Sequence, residues 1–292
     1  MKDTAPDLPL SQSGKEPMVI ASQAIREAGA ILKSHFWQEK KIQSKGRRNL
    51  VTDIDLLTEQ HILSLLNDEY PNHSTLGEES GKTEGTSDYC WVIDPLDGTT
   101  NYVYGIPIFA VSLGLTYKDE VVLGMVYDPL RDELFWAQKG REAFLNDSPI
   151  SVAGERNLQT TIIGLDLGYD DTKTRDMLLR VNGFWSGEKG LRLIGSAALG
   201  LAYVACGRLD IYLHPRIYPW DIAGGILLIR EAGGEVTDWQ GKPATVWDTS
   251  IFACGDISEH QTVRAVLSDY SDHRAAQVRP GKLRRLVYRG SR

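Results

Sequence analysis

The chain has 292 residues, 42% hydrophobic and 24% charged, which is the make-up of a globular protein with one large domain or two packed ones. Its 39 acidic and 32 basic residues give a net charge of −7, which opposes general nucleic-acid affinity and suits a protein that gathers divalent cations. Three widely spaced cysteines without a Cys-x-x-Cys pair argue against a disulfide framework or zinc knuckle and point to a reducing cytoplasm. No apolar run approaches the ~18 residues of a membrane span, and residues 1–17, polar and Pro-bearing, read as a flexible leader rather than a signal peptide.

Met18, Ala21, Ile25, Ala28 and Leu32 recur at three- and four-residue steps, the buried face of a helix. A Lys/Arg-rich stretch follows over residues 40–48, in which Lys45 reads as a surface lysine. Val51-Thr52-Asp53-Ile54-Asp55 opens a second helix that runs to Leu66 and stops before Pro71. Residues 90–93 predict a strand, and residues 108–117 and 120–127 a hairpin about Lys118-Asp119. With short strands at 133–137 and 141–145, residues 90–150 predict an antiparallel sheet. Beyond it the spacing predicts a strand at 160–165, helices at 172–181 and 196–206, and a strand at 209–213. A helix at 221–232 closes on Gly233-Gly234, strands follow at 235–238 and 251–254, and a last helix covers 257–267. This alternation predicts a layered α/β part with some parallel pairing. The implied organisation is an N-terminal α+β part (18–150), a C-terminal α/β part (151–268) and a basic tail (269–292). Residues 274–292 carry seven Lys/Arg and no acid; they read as a solvated end, the alternative being a nucleic-acid or protein contact.

Three segments concentrate carboxylates beside turn and helix-start residues: Gly77-Glu78-Glu79-Ser80, then Trp91-Val92-Ile93-Asp94-Pro95-Leu96-Asp97-Gly98-Thr99-Thr100-Asn101-Tyr102, then Pro219-Trp220-Asp221-Ile222-Ala223-Gly224-Gly225. In the second, an apolar run delivers Asp94 to a strand end and Pro95 forces a turn. Asp97 then emerges so that two carboxylates can converge. Gly98-Thr99-Thr100 permits a tight backbone with N–H groups pointing forward, as where anions meet a helix start. Oxygen ligands beside N–H donors suit a metal-bound phosphate. Should Glu78, Asp94, Asp97 and Asp221 share a pocket, mutual repulsion would make some take protons unless divalent cations intervene. Carboxylates plus a carbonyl, without His or Cys, favour Mg²⁺ or Mn²⁺ over Zn²⁺. Cys90 reads as packing.

These segments, in this order, resemble the signature of the inositol monophosphatase family, and Val51–Asp55 matches its upstream VTxxD element. The resemblance covers roughly residues 18–268. It implies a layered αβαβα sandwich of the sugar-phosphatase type, an α/β (α+β) fold. It also implies Mg²⁺-dependent, often Li⁺-inhibited, phosphomonoester hydrolysis by a homodimer that uses two to three Mg²⁺ ions and a metal-activated water. Carried over residue by residue, Glu78, Asp94 and the carbonyl of Leu96 would hold one cation. Asp94, Asp97 and Asp221 would hold another, and Glu78 a third, weaker one. Gly98 and Thr99 would bind phosphate through their N–H groups, and Asp55 would orient Thr99 and help activate the water. Glu79 would support the ligands from behind, and Trp220 would buttress Asp221 by packing. Gly195, Ser196 and Ala197 would contact a substrate hydroxyl, with Arg192 just before them.

Gly98-Thr99-Thr100-Asn101-Tyr102 looks most like the inositol branch, so a small phosphorylated polyol, most simply inositol 1-phosphate, is the expected substrate. Fructose 1,6-bisphosphate, alone or as a dual activity, is the runner-up, followed by histidinol phosphate. A non-enzymatic alternative is a regulatory partner of the transcription machinery. His214 stands seven residues before Asp221, where animal members of the family place a Glu that contacts an inositol hydroxyl. An imidazole there is expected to line the leaving-group side and broaden substrate use.

Overall fold

The computed structural model describes residues 8–46, 49–154, 160–184 and 190–255. The expected last helix, the basic tail and the side chain of Lys45 lie outside the described residues. The chain forms five layers, αβαβα, as the resemblance implies.

Helix α1 (Pro17–His35) and helix α2 (Asp53–Glu69) make the first layer. Pro17 starts α1 where a missing N–H costs nothing. Ile20, Ala21, Ala24, Ile25, Ala28 and Leu32 bury the face that the periodicity marked. Residues 8–16 of the expected leader are placed against the end of α2, because Gln12 N–H donates to the Glu69 carbonyl and the Ser13 hydroxyl to its carboxylate. Between the helices is an antiparallel pair that the sequence reading did not anticipate, β1 (Ile42–Gly46) with β2 (Asn49–Thr52). The second helix consequently begins at Asp53, two residues later than expected, since Thr52 stays extended and caps it.

The second layer is an eight-stranded sheet. Its strands are β3 (Ser74–Gly77), β4 (Gly81–Thr83), β5 (Tyr89–Asp97), β6 (Ala110–Tyr117), β7 (Glu120–Asp128), β8 (Glu133–Gln138), β9 (Ala143–Leu145) and β10 (Ser148–Ile150). They lie in the order β10-β9-β8-β7-β6-β5-β3-β4. The expected hairpin is β6–β7, and pairing is antiparallel except between β3 and β5. That parallel pair sends Gly77 and Ile93 to the same end of the sheet, so the chain beyond each strand emerges side by side.

Helices α5 (Ala197–Ala205) and α6 (Pro219–Glu231) form the middle layer. They rest on a five-stranded sheet ordered β12-β11-β13-β15-β14. Its strands are β11 (Ile162–Leu165), β12 (Gly190–Leu193), β13 (Ile211–His214), β14 (Glu235–Thr237) and β15 (Ile251–Cys254). β11 pairs parallel with both β12 and β13, the parallel pairing expected for this half. Helix α4 (Asp171–Phe184) closes the last layer through Met177 and Val181, which pack against Ile163, Leu165 and Phe252. α6 approaches the large sheet at backbone distance: a Cβ on Gly124 would stand 2.5 Å from the Gly224 carbonyl oxygen. The adjacent glycines after Asp221 thus serve packing. Among the described residues no helix is long and apolar enough to cross a membrane.

Candidate active site

Asp94 and Asp97 both belong to β5, three positions apart, and on a regular strand they would face opposite sides. The register with β6 explains why they do not. Asp94 pairs with Ser112 and Asp97 with Ala110, so three steps on β5 match two on β6. This is a β-bulge, seated at Pro95, which has no N–H to give to a ladder. The extra residue returns both carboxylates to one side. The Leu96 N–H donates to Asp94 Oδ1 at 3.0 Å and tightens the turn.

The third carboxylate comes from the middle layer. Asp221 is the third residue of α6, and its Oδ2 accepts the Tyr218 N–H at 2.8 Å, an arrangement that fits an acid to a helix start. The Ser112 hydroxyl donates to the Trp220 carbonyl at 3.1 Å and binds the helix to β6. As a result, carboxylate oxygens of Asp94, Asp97 and Asp221 all lie within 4.8 Å of one another. All three are buried. Asp94 is pushed well above the usual carboxylate range, first by burial and then by Glu78, Asp97 and Asp221. Asp221 is pushed up by burial and by Asp97 and Glu78. Asp97 is raised to about 6 by burial, although the Ser196 hydroxyl and the N–H groups of Ala197 and Ala198 at the start of α5 hold its charge. Buried oxygen ligands that repel one another, with no His or Cys among them, are a donor set for hard divalent cations.

Behind this cluster Asp55 is buried at the start of α2, where it accepts from the Thr52 N–H and hydroxyl. Its other oxygen accepts the Thr99 hydroxyl at 3.2 Å, which also lies 3.0 Å from the Leu96 carbonyl. Burial raises Asp55 to about 6. Gly98 takes a positive φ of 94°, and a Cβ there would stand 3.0 Å from the Gly195 carbonyl oxygen, so a side chain would be strained in its backbone and crowded against that carbonyl. It starts the short helix α3 (Thr99–Val103).

A cavity of about 300 Å³ brings the expected residues together. Its lining holds Glu78, Asp94, Leu96, Asp97, Asp221, Gly98, Thr99, Gly195, Ser196, Ala197 and His214. His214 ends β13, buried, and burial depresses it to about 3, so the imidazole is neutral. Asp55 lies behind the lining, through Thr99. Glu79 gives its N–H to Glu59. Trp220 stacks on Tyr218 at 5.1 Å between ring centroids. Arg192 is outside the lining: its side chain is exposed on β12, and Nη1 donates to the Leu191 carbonyl.

Two residues that sequence reasoning gave no role help to shape the cavity. Asn101 donates to the carbonyls of Ile108, Ile194 and Gly195 at 2.8, 3.0 and 3.2 Å, joining the α3 turn to the start of α5. Asp166 accepts the Gly195 N–H and meets the Tyr212 hydroxyl, both at 2.6 Å, and burial raises it to about 7. An available signal was the position of Asp166 just past a strand end and before Gly168, where open α/β sheets place their ligands.

Fold and site together define a phosphatase with a buried acidic cluster. Residues 15–272 match the model of the inositol monophosphatase family, and the chain belongs to that family of metal-dependent phosphoric monoester hydrolases. It is 43% identical over 244 residues to a Dictyostelium discoideum inositol monophosphatase, spanning 81% of this chain and 89% of the relative. It is 41% identical over 230 residues to the Nus factor SuhB of Pasteurella multocida, spanning 77% and 86%. The solved structure of a Thermotoga maritima IMPase superposes with a TM-score of 0.80 at 31% identity, covering 87% of this chain and 97% of that one.

Proposed function

We propose that the chain is a Mg²⁺-dependent phosphomonoesterase for small polyol phosphates, inositol 1-phosphate first, with water as the phosphoryl acceptor. The observation that carries this reading is the buried triad Asp94, Asp97 and Asp221, with oxygens within 4.8 Å, in a cavity that Glu78 and Thr99 also line. The donor set suits Mg²⁺: Asp94, Asp97, Asp221, Glu78 and the Leu96 carbonyl would hold two or three ions. Bound cations supply charge that neutralises phosphoryl oxygens and the leaving alkoxide and makes water acidic enough to attack.

The chain's own residues orient and exclude. Thr99, its hydroxyl fixed between Asp55 and Leu96, holds the attacking water in line. Asp55, raised to about 6, is poised to take a proton near neutrality. The N–H groups of Gly98 and Thr99 bind phosphoryl oxygens. Gly195, Ser196, Ala197 and His214 line the leaving-group side. Exposed apolar side chains such as Trp37, Tyr104 and Leu193 suit the contact of a homodimer. Cys90, Cys206 and Cys254 are not joined in disulfides, which suits a reducing cytoplasm.

The test is Mg²⁺-dependent phosphate release from inositol 1-phosphate, fructose 1,6-bisphosphate, histidinol phosphate and 3′-phosphoadenosine 5′-phosphate. Release from none of them overturns the proposal, and preference for the bisphosphate moves it to the runner-up. The relative named as a Nus factor favours a second role, contact with the transcription machinery, to which residues 274–292 could contribute charge. Deleting them should weaken such contact and leave turnover unchanged.

A further inference from the structure

Glu59 is on α2, one helical turn after Asp55, and only 2% exposed. A buried glutamate demands partners, and those of Glu59 are main-chain donors. Oε2 accepts the Glu79 N–H at 3.0 Å and Oε1 the Ser80 N–H at 2.7 Å. The carboxylate reaches them by passing over Gly77, where a Cβ would stand 2.6 Å from both Glu59 Cδ and Oε2. The Glu78 N–H is held separately, at 3.2 Å from the Ile93 carbonyl of β5. Three consecutive amides of the turn that carries Glu78 are therefore fixed, two of them by Glu59.

Residues four apart share a helix face, so Asp55 and Glu59 point to the same side of α2. Asp55 holds Thr99, and Glu59 holds the Glu78 turn. A carboxylate suits this task because both its oxygens only accept; an amide would turn its NH₂ against one of the two N–H groups.

We infer that Glu59 is a positioning residue for divalent-cation binding: by holding the amides of Glu79 and Ser80 it sets the approach of the Glu78 carboxylate to Asp94. This rests on the metal-dependent reading proposed above. Residues that orient metal ligands typically change affinity ~10–100-fold when removed.

The test uses the full chain and its Glu59→Gln and Gly77→Ala variants. Gly77→Ala displaces the same carboxylate from the other side of the contact, and it carries the test if Glu59→Gln does not fold. Mn²⁺ is titrated calorimetrically without substrate, and thermal unfolding in EDTA is recorded on the same samples. The expected result is a Mn²⁺ dissociation constant raised ~10–100-fold, with the Mg²⁺ needed for half-maximal phosphate release raised by a similar factor. A merely structural role would lower the unfolding temperature but leave Mn²⁺ affinity within about twofold of wild type, and that result overturns the inference alone. A wild-type chain that binds no Mn²⁺ overturns the metal-dependent reading, and the inference with it.

Discussion

At the scale of single residues, Asp94 has the most to lose. It is buried, near two other aspartates and Glu78, and its charge is tolerable only if a cation shares it. Asp94→Asn keeps the shape and removes the charge, so hydrolysis should fall more than ~100-fold, as when a catalytic electrostatic group is deleted. Near-normal turnover at saturating Mg²⁺ would refute the ligand assignment. Thr99 is placed differently: its hydroxyl is held by Asp55 and the Leu96 carbonyl, a geometry useful for placing water. Thr99→Ala should therefore lower kcat more than it raises KM, and a pure KM effect would reduce Thr99 to a substrate contact. His214 is buried, and burial lowers it to about 3, which leaves the imidazole neutral. A Glu in its place would repel a second phosphate. His214→Glu should depress fructose 1,6-bisphosphate turnover relative to inositol 1-phosphate, and an unchanged ratio of the two kcat/KM values would remove His214 from specificity.

At the scale of elements, helix starts converge on the acids. Ser196 caps α5 by accepting the Leu199 N–H at 3.3 Å while its hydroxyl donates to Asp97. Ser196→Ala breaks both contacts at once. The expected loss is ~1 kcal/mol of stability in urea unfolding, the usual cost of a lost cap, together with a fall in Mg²⁺-dependent turnover. A stability loss without any change in turnover would make Ser196 a cap only. The helices of this layer were legible in the sequence because caps, apolar spacing and glycine stops are local signals. β1, β2, β3, β4, β10 and β12 were not. Each has three to five residues, and short strands exist through partners that a local pattern does not reveal. The same contrast divides the site. Asp94, Asp97 and Asp221 stood out through their motifs, whereas Glu59 and Asp166 act on amides distant in sequence. The bulge at Pro95 lies between: the proline was visible, but the change in side-chain parity that it allows appears only in the register with β6.

At the scale of the whole molecule, the cavity lies where layers meet, and this ties its acids to folding stability. Asp94 and Asp97 come from the large sheet, Asp221 from α6, and Asp166 and His214 from the small sheet. Asp166 is a useful reporter because it hydrogen-bonds the Gly195 N–H and the Tyr212 hydroxyl, and burial rather than the charge of Asp97 is the largest cause of its shift. Unfolded, its carboxyl titrates at its ordinary 3.8; folded, burial holds it at about 7. Between those values the folded chain keeps a proton that the unfolded chain has released, so rising pH favours unfolding. This stabilisation is full below the unfolded value and is lost as pH climbs through the folded one. Asp55 and Asp97, each at about 6, contribute with the same sign. In EDTA, the urea midpoint of the wild type should therefore fall between about pH 5 and about pH 7.5. Asp166→Asn preserves the shape and the acceptor for Gly195 while removing the titration, so its midpoint should fall less over the same interval. Equal falls in the two proteins would mean that Asp166 stays ionised in the folded chain and that burial at this junction of layers carries no proton.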